Sequence, residues 1–147
     1  PTRRSSDLIE KYLDTYRQTQ SGLTVSFHYD GDISRVSRPI ALFCYRMVQE
    51  GLTNIARHAQ AHTVTIGLHV LPSKLTLSVR DDGIGFSANR AERARLNNHL
   101  GLVSMRERAD VLNGTFAIDS HPGEGTTLTI SLPLYLSEEE EHEHSLG

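Results

Sequence analysis

The chain has 147 residues, 37% of them hydrophobic and 22% charged, which is the length of one domain. No window approaches the roughly 18 consecutive apolar residues of a membrane span, which excludes such a helix from this stretch. A single cysteine (Cys44) excludes an internal disulfide or a cysteine-rich zinc centre and fits a reduced, cytosolic setting, while a net charge of −3 excludes a broad electrostatic grip on nucleic acid or an anionic membrane.

The chain begins at Pro1 without a methionine. Residues 1–8 (PTRRSSDL) resemble one translated frame of a common sequencing adapter, so a native start near Leu8 or Ile9 is expected, with a domain over 9–136. Apolar residues at 8, 9, 12, 13 and 16 then recur at helical spacing and predict a helix over 8–20. A strand follows over 23–29 and a turn at Asp30-Gly31-Asp32. Ser37 is suited to cap a long helix whose first turn holds Pro39, where a missing N–H costs nothing. Its apolar stripe runs Ile40, Phe43, Met47, Val48, Leu52, Ile55, Ala59.

Alternation over 64–70 and 75–79 predicts a hairpin, and residues 87–99 are polar and rich in Arg and Asn. A helix over 101–112 buries Leu102, Met105, Ala109 and Leu112 and closes at Asn113-Gly114. A last hairpin joins 115–119 to 126–134, and the acidic stretch 137–147 reads as a disordered tail. The order α-β-α-β-β-α-β-β predicts an α/β (α+β) two-layer sandwich, its mixed, largely antiparallel sheet covered on one face by helices.

Four places carry chemistry. Glu50, Asn54 and His58 are four residues apart and Arg57 is three beyond Asn54, so they share a helix face. Oxygen ligands there suit a hydrated magnesium ion and the phosphates it bridges, although on this helix alone a solvated outer face is the better explanation of the stripe. Asp81 is in phase with Leu75, Leu77 and Val79 and so points toward the core, where a carboxylate is costly without a hydrogen-bond donor. An adenine amino group is one such donor; an ordinary Asp-Gly turn is the plainer alternative. Gly83 and Gly85 allow the backbone to lie against a planar ligand. Gly101 opens a helix, whose free N–H groups attract phosphate. Gly123, Gly125 and Thr126 join two strands in a loop where only small residues allow close approach.

In this order the four sites resemble the ATP-binding domain of sensor histidine kinases, over residues 22–134. QEGLTNIARHA (residues 49–59) is similar to that family's N box, DDGIGF (81–86) to its first glycine box, GLVSMRERADVLNG (101–114) to its second and GEGTTLTISLPL (123–134) to its third. The Met-Arg-Glu-Arg run resembles the nitrate-sensor-like class. The resemblance implies the Bergerat-type fold shared with gyrase and heat-shock chaperones, with ATP and Mg²⁺ as cofactors. It implies that Asp81 accepts from the adenine amino group, with Gly83 and Gly85 shaping the base pocket and Thr126 supporting the base. Asn54 would ligate magnesium, Glu50 would orient a metal-bound water or help activate the acceptor, and Arg57 and His58 would lie near the phosphates and ribose. Gly101 and Leu102 would offer backbone N–H groups to the phosphates, under a lid over 87–100.

The implied partners are a histidine-bearing dimerisation domain of a homodimeric parent and a response regulator, with no direct contact to nucleic acid or membrane. The parent's own membrane anchoring is left open. Two features depart from the family's pattern. Asn97-Asn98-His99-Leu100 stands where a glycine is usual, and no helical acid-flanked histidine is present to accept phosphate. The expected activity is therefore transfer of the ATP γ-phosphoryl to a histidine outside this chain, the fragment itself remaining unlabelled. The other readings are a serine kinase of the anti-sigma type and a catalytically silent nucleotide- or partner-binding module.

Overall fold

Ser37 opens the longest helix. Its hydroxyl accepts from the Ile40 N–H at 3.5 Å and Pro39 follows in the first turn, the arrangement that satisfies free amides at a helix start. That helix is α2 (Arg38–Asn54), and its buried residues Ala41, Cys44, Val48 and Gly51 recur at three- and four-residue intervals. The computed structural model describes residues 5–19, 22–86 and 101–135. The expected leader's first four residues, the lid over 87–100 and the acidic tail over 137–147 lie outside the described residues.

The other elements are α1 (Ser5–Thr19), β1 (Thr24–Gly31), β2 (Thr63–Val70), β3 (Lys74–Asp81), α3 (Leu102–Val111), β4 (Thr115–Ser120) and β5 (Thr126–Pro133). The five strands form one sheet in the order β1-β2-β3-β5-β4, with β1 parallel to β2 and the other pairs antiparallel. This is the mixed, largely antiparallel sheet expected from the order of elements.

Period-two alternation gives the sheet one apolar face. Val64, Ile66, Leu68 and Val70 of β2 and Leu75, Leu77 and Val79 of β3 are buried with Ile130 and Leu132 of β5. Ile9 and Leu13 of α1, Met47 and Leu52 of α2, and Met105 and Ala109 of α3 join them in one core. Outward positions such as Thr65, Lys74 and Arg80 are exposed. Among the described residues no helix is long and apolar enough to cross a membrane. Burial pushes the Cys44 thiol up to about 12, so it stays protonated and inert.

Four expectations are corrected. α1 begins at Ser5 rather than Leu8, with Ser6 buried. Asp30 and Gly31 belong to β1, which continues beside β2 as far as Val70, and Asp32 instead caps a short 3₁₀ turn, Ile33–Arg35. α2 does not run as regular α-helix to Ala59; it ends at Asn54 and widens into a π turn, Ile55–Ala59, closed by Gln60 at φ 51°. The Ala59 carbonyl there accepts from the Ile84 N–H at 2.8 Å, a tertiary bond that a periodicity argument does not contain. In the loop before β5 the expected close approach holds at Gly125, where a Cβ would fall 2.1 Å from the Asp81 carbonyl oxygen, but Gly123 has open space around it, and its φ of 79° is what requires glycine.

Leu77 sits at the centre of the apolar face with 1% of its surface exposed. Leu77→Ala is expected to lower unfolding stability by about 2–5 kcal/mol in urea denaturation. A loss within about 0.5 kcal/mol, the range usual for surface changes, would contradict the placement of the core.

Candidate functional site

Strand register places three polar residues in one row. Asp81 of β3 stands opposite Thr126 of β5, and Thr126 stands opposite Ser120 of β4. The preceding rows on the same face are apolar: Val79, Leu128 and Ile118, then Leu77, Ile130 and Phe116. The helix-covered face therefore turns polar only at its end, and there a cavity of about 180 Å³ opens between the sheet and the end of α2.

Asp81 lines this cavity and is only 5% exposed. Its Oδ1 accepts from the Gly83 N–H at 2.8 Å. Burial pushes its carboxyl above the usual carboxylate range, against the opposing pull of the Gly83 and Thr126 N–H groups. The rest of the wall is mostly apolar, with Val79, Ile84, Phe86 and Leu128 facing Ile55 and Ala59 across the opening. A mostly apolar slot with one acidic end suits a planar heterocycle that carries an amino group.

Six of the residues singled out from sequence share this cavity: Asn54, His58, Asp81, Gly85, Leu102 and Thr126. The π turn brings His58 in with Ile55 and Ala59. The remaining six stand around it. Glu50 is exposed at the rim, its Oε1 close to where a side chain on Gly101 would begin, so α2 and the start of α3 meet there. Arg57 is exposed on the π turn and outside the lining.

Gly83 shapes the cavity from behind. A Cβ on it would fall 2.1 Å from the Ala59 carbonyl oxygen, so only glycine lets the β3 exit close against the helix end. Gly85, at φ 63°, is pressed equally hard against the His121 carbonyl oxygen. The Gly123 N–H donates to the Ile84 carbonyl at 2.7 Å, and the buried Gly125 carbonyl accepts from Ser120 Oγ at 3.1 Å.

Two polar residues escaped the sequence reading. Asp82 accepts from the His62 and Thr63 N–H groups at 2.8 and 2.9 Å and ties the start of β2 to the end of β3. The Thr63 N–H and then the His62 N–H hold its carboxyl below the usual range. Ser120, 4% exposed, joins Phe86, Gly125 and Thr126. Counting the hairpin register back from Thr126 was the available signal for it.

Residues 40–136 match the family described as histidine kinase-, DNA gyrase B-, and HSP90-like ATPase. The signal transduction histidine-protein kinase/phosphatase DegS of Brevibacillus brevis is 32% identical over 130 residues, covering 88% of this chain and 32% of that protein. The oxygen sensor histidine kinase NreB of Staphylococcus carnosus is 34% identical over 113 residues, covering 77% of this chain and 32% of its own length. The chain thus spans about a third of these relatives. Among solved structures, the Acinetobacter baumannii histidine kinase AdeS superposes with a TM-score of 0.68 at 18% identity, covering 90% of this chain and 66% of that one. The mycobacterial sensor histidine kinase MprB gives 0.63 at 20% identity, covering 89% and 95%.

The raised Asp81 carboxyl has a consequence for stability. The folded state holds this proton more tightly than the unfolded chain, so ionising Asp81 opposes folding as pH rises through its elevated value. Asp81→Asn keeps an oxygen for the Gly83 N–H but cannot ionise. Its melting temperature relative to the unaltered chain is expected to rise from acid pH toward neutrality. A difference that does not vary with pH would contradict the burial assigned to this carboxylate.

Proposed function

The chain belongs to the histidine kinase-, DNA gyrase B-, and HSP90-like ATPase family, and on that premise we propose that it is the ATP-binding catalytic part of a two-component sensor histidine kinase. The reaction is transfer of the ATP γ-phosphoryl to a histidine on a dimerisation domain outside this chain, for onward transfer to a response regulator. The observation that carries this reading is Asp81, a carboxylate 5% exposed at the end of an apolar slot. Ionised, it accepts the adenine amino group and regains the hydrogen bonding lost on burial.

Thr126 supports the base, and Gly83 and Gly85 hold the loop that walls it. Asn54 lines the cavity, four residues along the helix from Glu50, which approaches Gly101. Its amide oxygen suits magnesium, which keeps most of its water and takes phosphate oxygens, and no cluster of three His, Cys, Asp or Glu able to cage a metal occurs among the described residues. Bound there, the ion supplies neutralisation of the phosphate charge.

The N–H groups of Gly101 and Leu102 at the start of α3 serve the phosphates, as a helix N-terminus favours anions. Arg57 and His58 lie toward the phosphates and ribose, and Glu50, at the rim, helps activate the acceptor. The kinase relatives favour histidine over serine as that acceptor. Glu50, Asn54 and Asp81 all being present weighs against a silent binding module.

Asp81→Asn is expected to weaken ATP binding by about 1.5–3 kcal/mol, roughly ten- to hundredfold in Kd by calorimetry. An unchanged Kd would remove the adenine role. Asn54→Ala is expected to abolish the dependence of ATP binding on added magnesium while leaving metal-free binding in place. Dependence that survives the substitution would move the metal elsewhere.

A further inference from the structure

Ser120 lies behind the cavity wall rather than in it. Its Oγ accepts from the Phe86 N–H at 2.9 Å, stands 3.1 Å from the Gly125 carbonyl oxygen and 2.7 Å from Thr126 Oγ1. A hydroxyl has one proton and two lone pairs, so these three bonds exhaust it. The Phe86 N–H takes one lone pair.

The Gly125 carbonyl is buried and can only accept, so it claims the Ser120 proton; leaving it unmet would incur a desolvation penalty. What remains for Thr126 is the second lone pair. Thr126 must therefore donate its own proton to Ser120, and toward the cavity its hydroxyl keeps lone pairs alone. Beside it in the row, ionised Asp81 is also an acceptor only. A wall of two acceptors matches a base edge bearing amino N–H groups and repels one bearing a carbonyl.

We propose that Ser120 is a positioning residue that fixes the hydroxyl of Thr126 as an acceptor, so that the cavity selects a 6-amino purine over a 6-oxo purine. This rests on the reading of the cavity as the ATP base site. Ser120 never touches the nucleotide; it acts through Thr126 and through the Phe86 backbone, both of which belong to the cavity wall.

The test is calorimetric Kd measurement for ATP and inosine triphosphate with the 147-residue chain, Ser120→Ala, Thr126→Val and the double variant, read as the ratio of the two affinities. In Ser120→Ala the Thr126 hydroxyl is free to turn and donate to a 6-oxo group, so preference for ATP is expected to fall about tenfold. In the Thr126→Val background the same Ser120 change is expected to leave the ratio within about twofold, the non-additivity of residues acting as a unit. Thr126→Ser, which keeps the hydroxyl, is expected to retain the full preference.

A purely structural Ser120 would weaken both nucleotides equally and leave the ratio unmoved, which overturns the proposal. So does an effect that persists in the valine background. If Ser120→Ala does not fold, Thr126→Val alone decides, because it leaves Ser120 bound to Phe86 and Gly125: an unchanged preference for ATP overturns the proposal. Failure of the unaltered chain to bind ATP overturns the base-site reading along with it, whereas ATP binding with an unaffected ratio overturns this inference alone.

Discussion

A carboxylate placed at the end of an otherwise apolar sheet face is the constraint around which the site is built. Burying an acid opposes folding unless donors reach it, and Asp81 has the Gly83 and Thr126 N–H groups to offset part of that cost. On the proposed reading, the remainder is offset by a donor on the ligand that enters the cavity. The neighbours of Asp81 preserve this arrangement. Gly83 lets the chain turn beneath Ala59, the π turn aims the Ala59 carbonyl at Ile84, and Asp82 clamps the adjoining strand ends.

Sheet register distributes the polar chemistry economically. Because β3, β5 and β4 are aligned in one row, Asp81 is brought beside Thr126 and Ser120, two residues of a hairpin distant from it in sequence. The glycine-bearing loop after β3 is then tied to the β4–β5 hairpin, Ile84 bonded to Gly123 and Phe86 to Ser120. Site and fold share the same hydrogen bonds, so a change at either loop is felt in the cavity.

Much of this was legible beforehand because it depends on local periodicity. Alternation through Leu75, Leu77 and Val79 put Asp81 on the inner face, and Ser37 with Pro39 located the start of α2. The four-residue spacing of Asn54 and His58 placed both on a common face, although the turn that carries His58 is π rather than α. What escaped depends on contacts between segments. The widening at Ile55–Ala59 goes with the bond to Ile84, the persistence of β1 through Gly31 with parallel pairing to β2, and the place of Ser120 with its partners Phe86 and Gly125. None of these partners lies within a helical turn or a strand alternation of the residue it changes.

On the proposed reading, the family's ATPase fold and this acid-ended slot describe one object, a base pocket whose specificity is electrostatic and whose shape is set by glycines and a π turn. A crystal structure of the chain with a non-hydrolysable ATP analogue tests this most directly. The account predicts the purine within the slot, its exocyclic amino group within hydrogen-bond distance of the Asp81 carboxylate. A purine seated elsewhere, or an Asp81 side chain turned out to solvent, would contradict it.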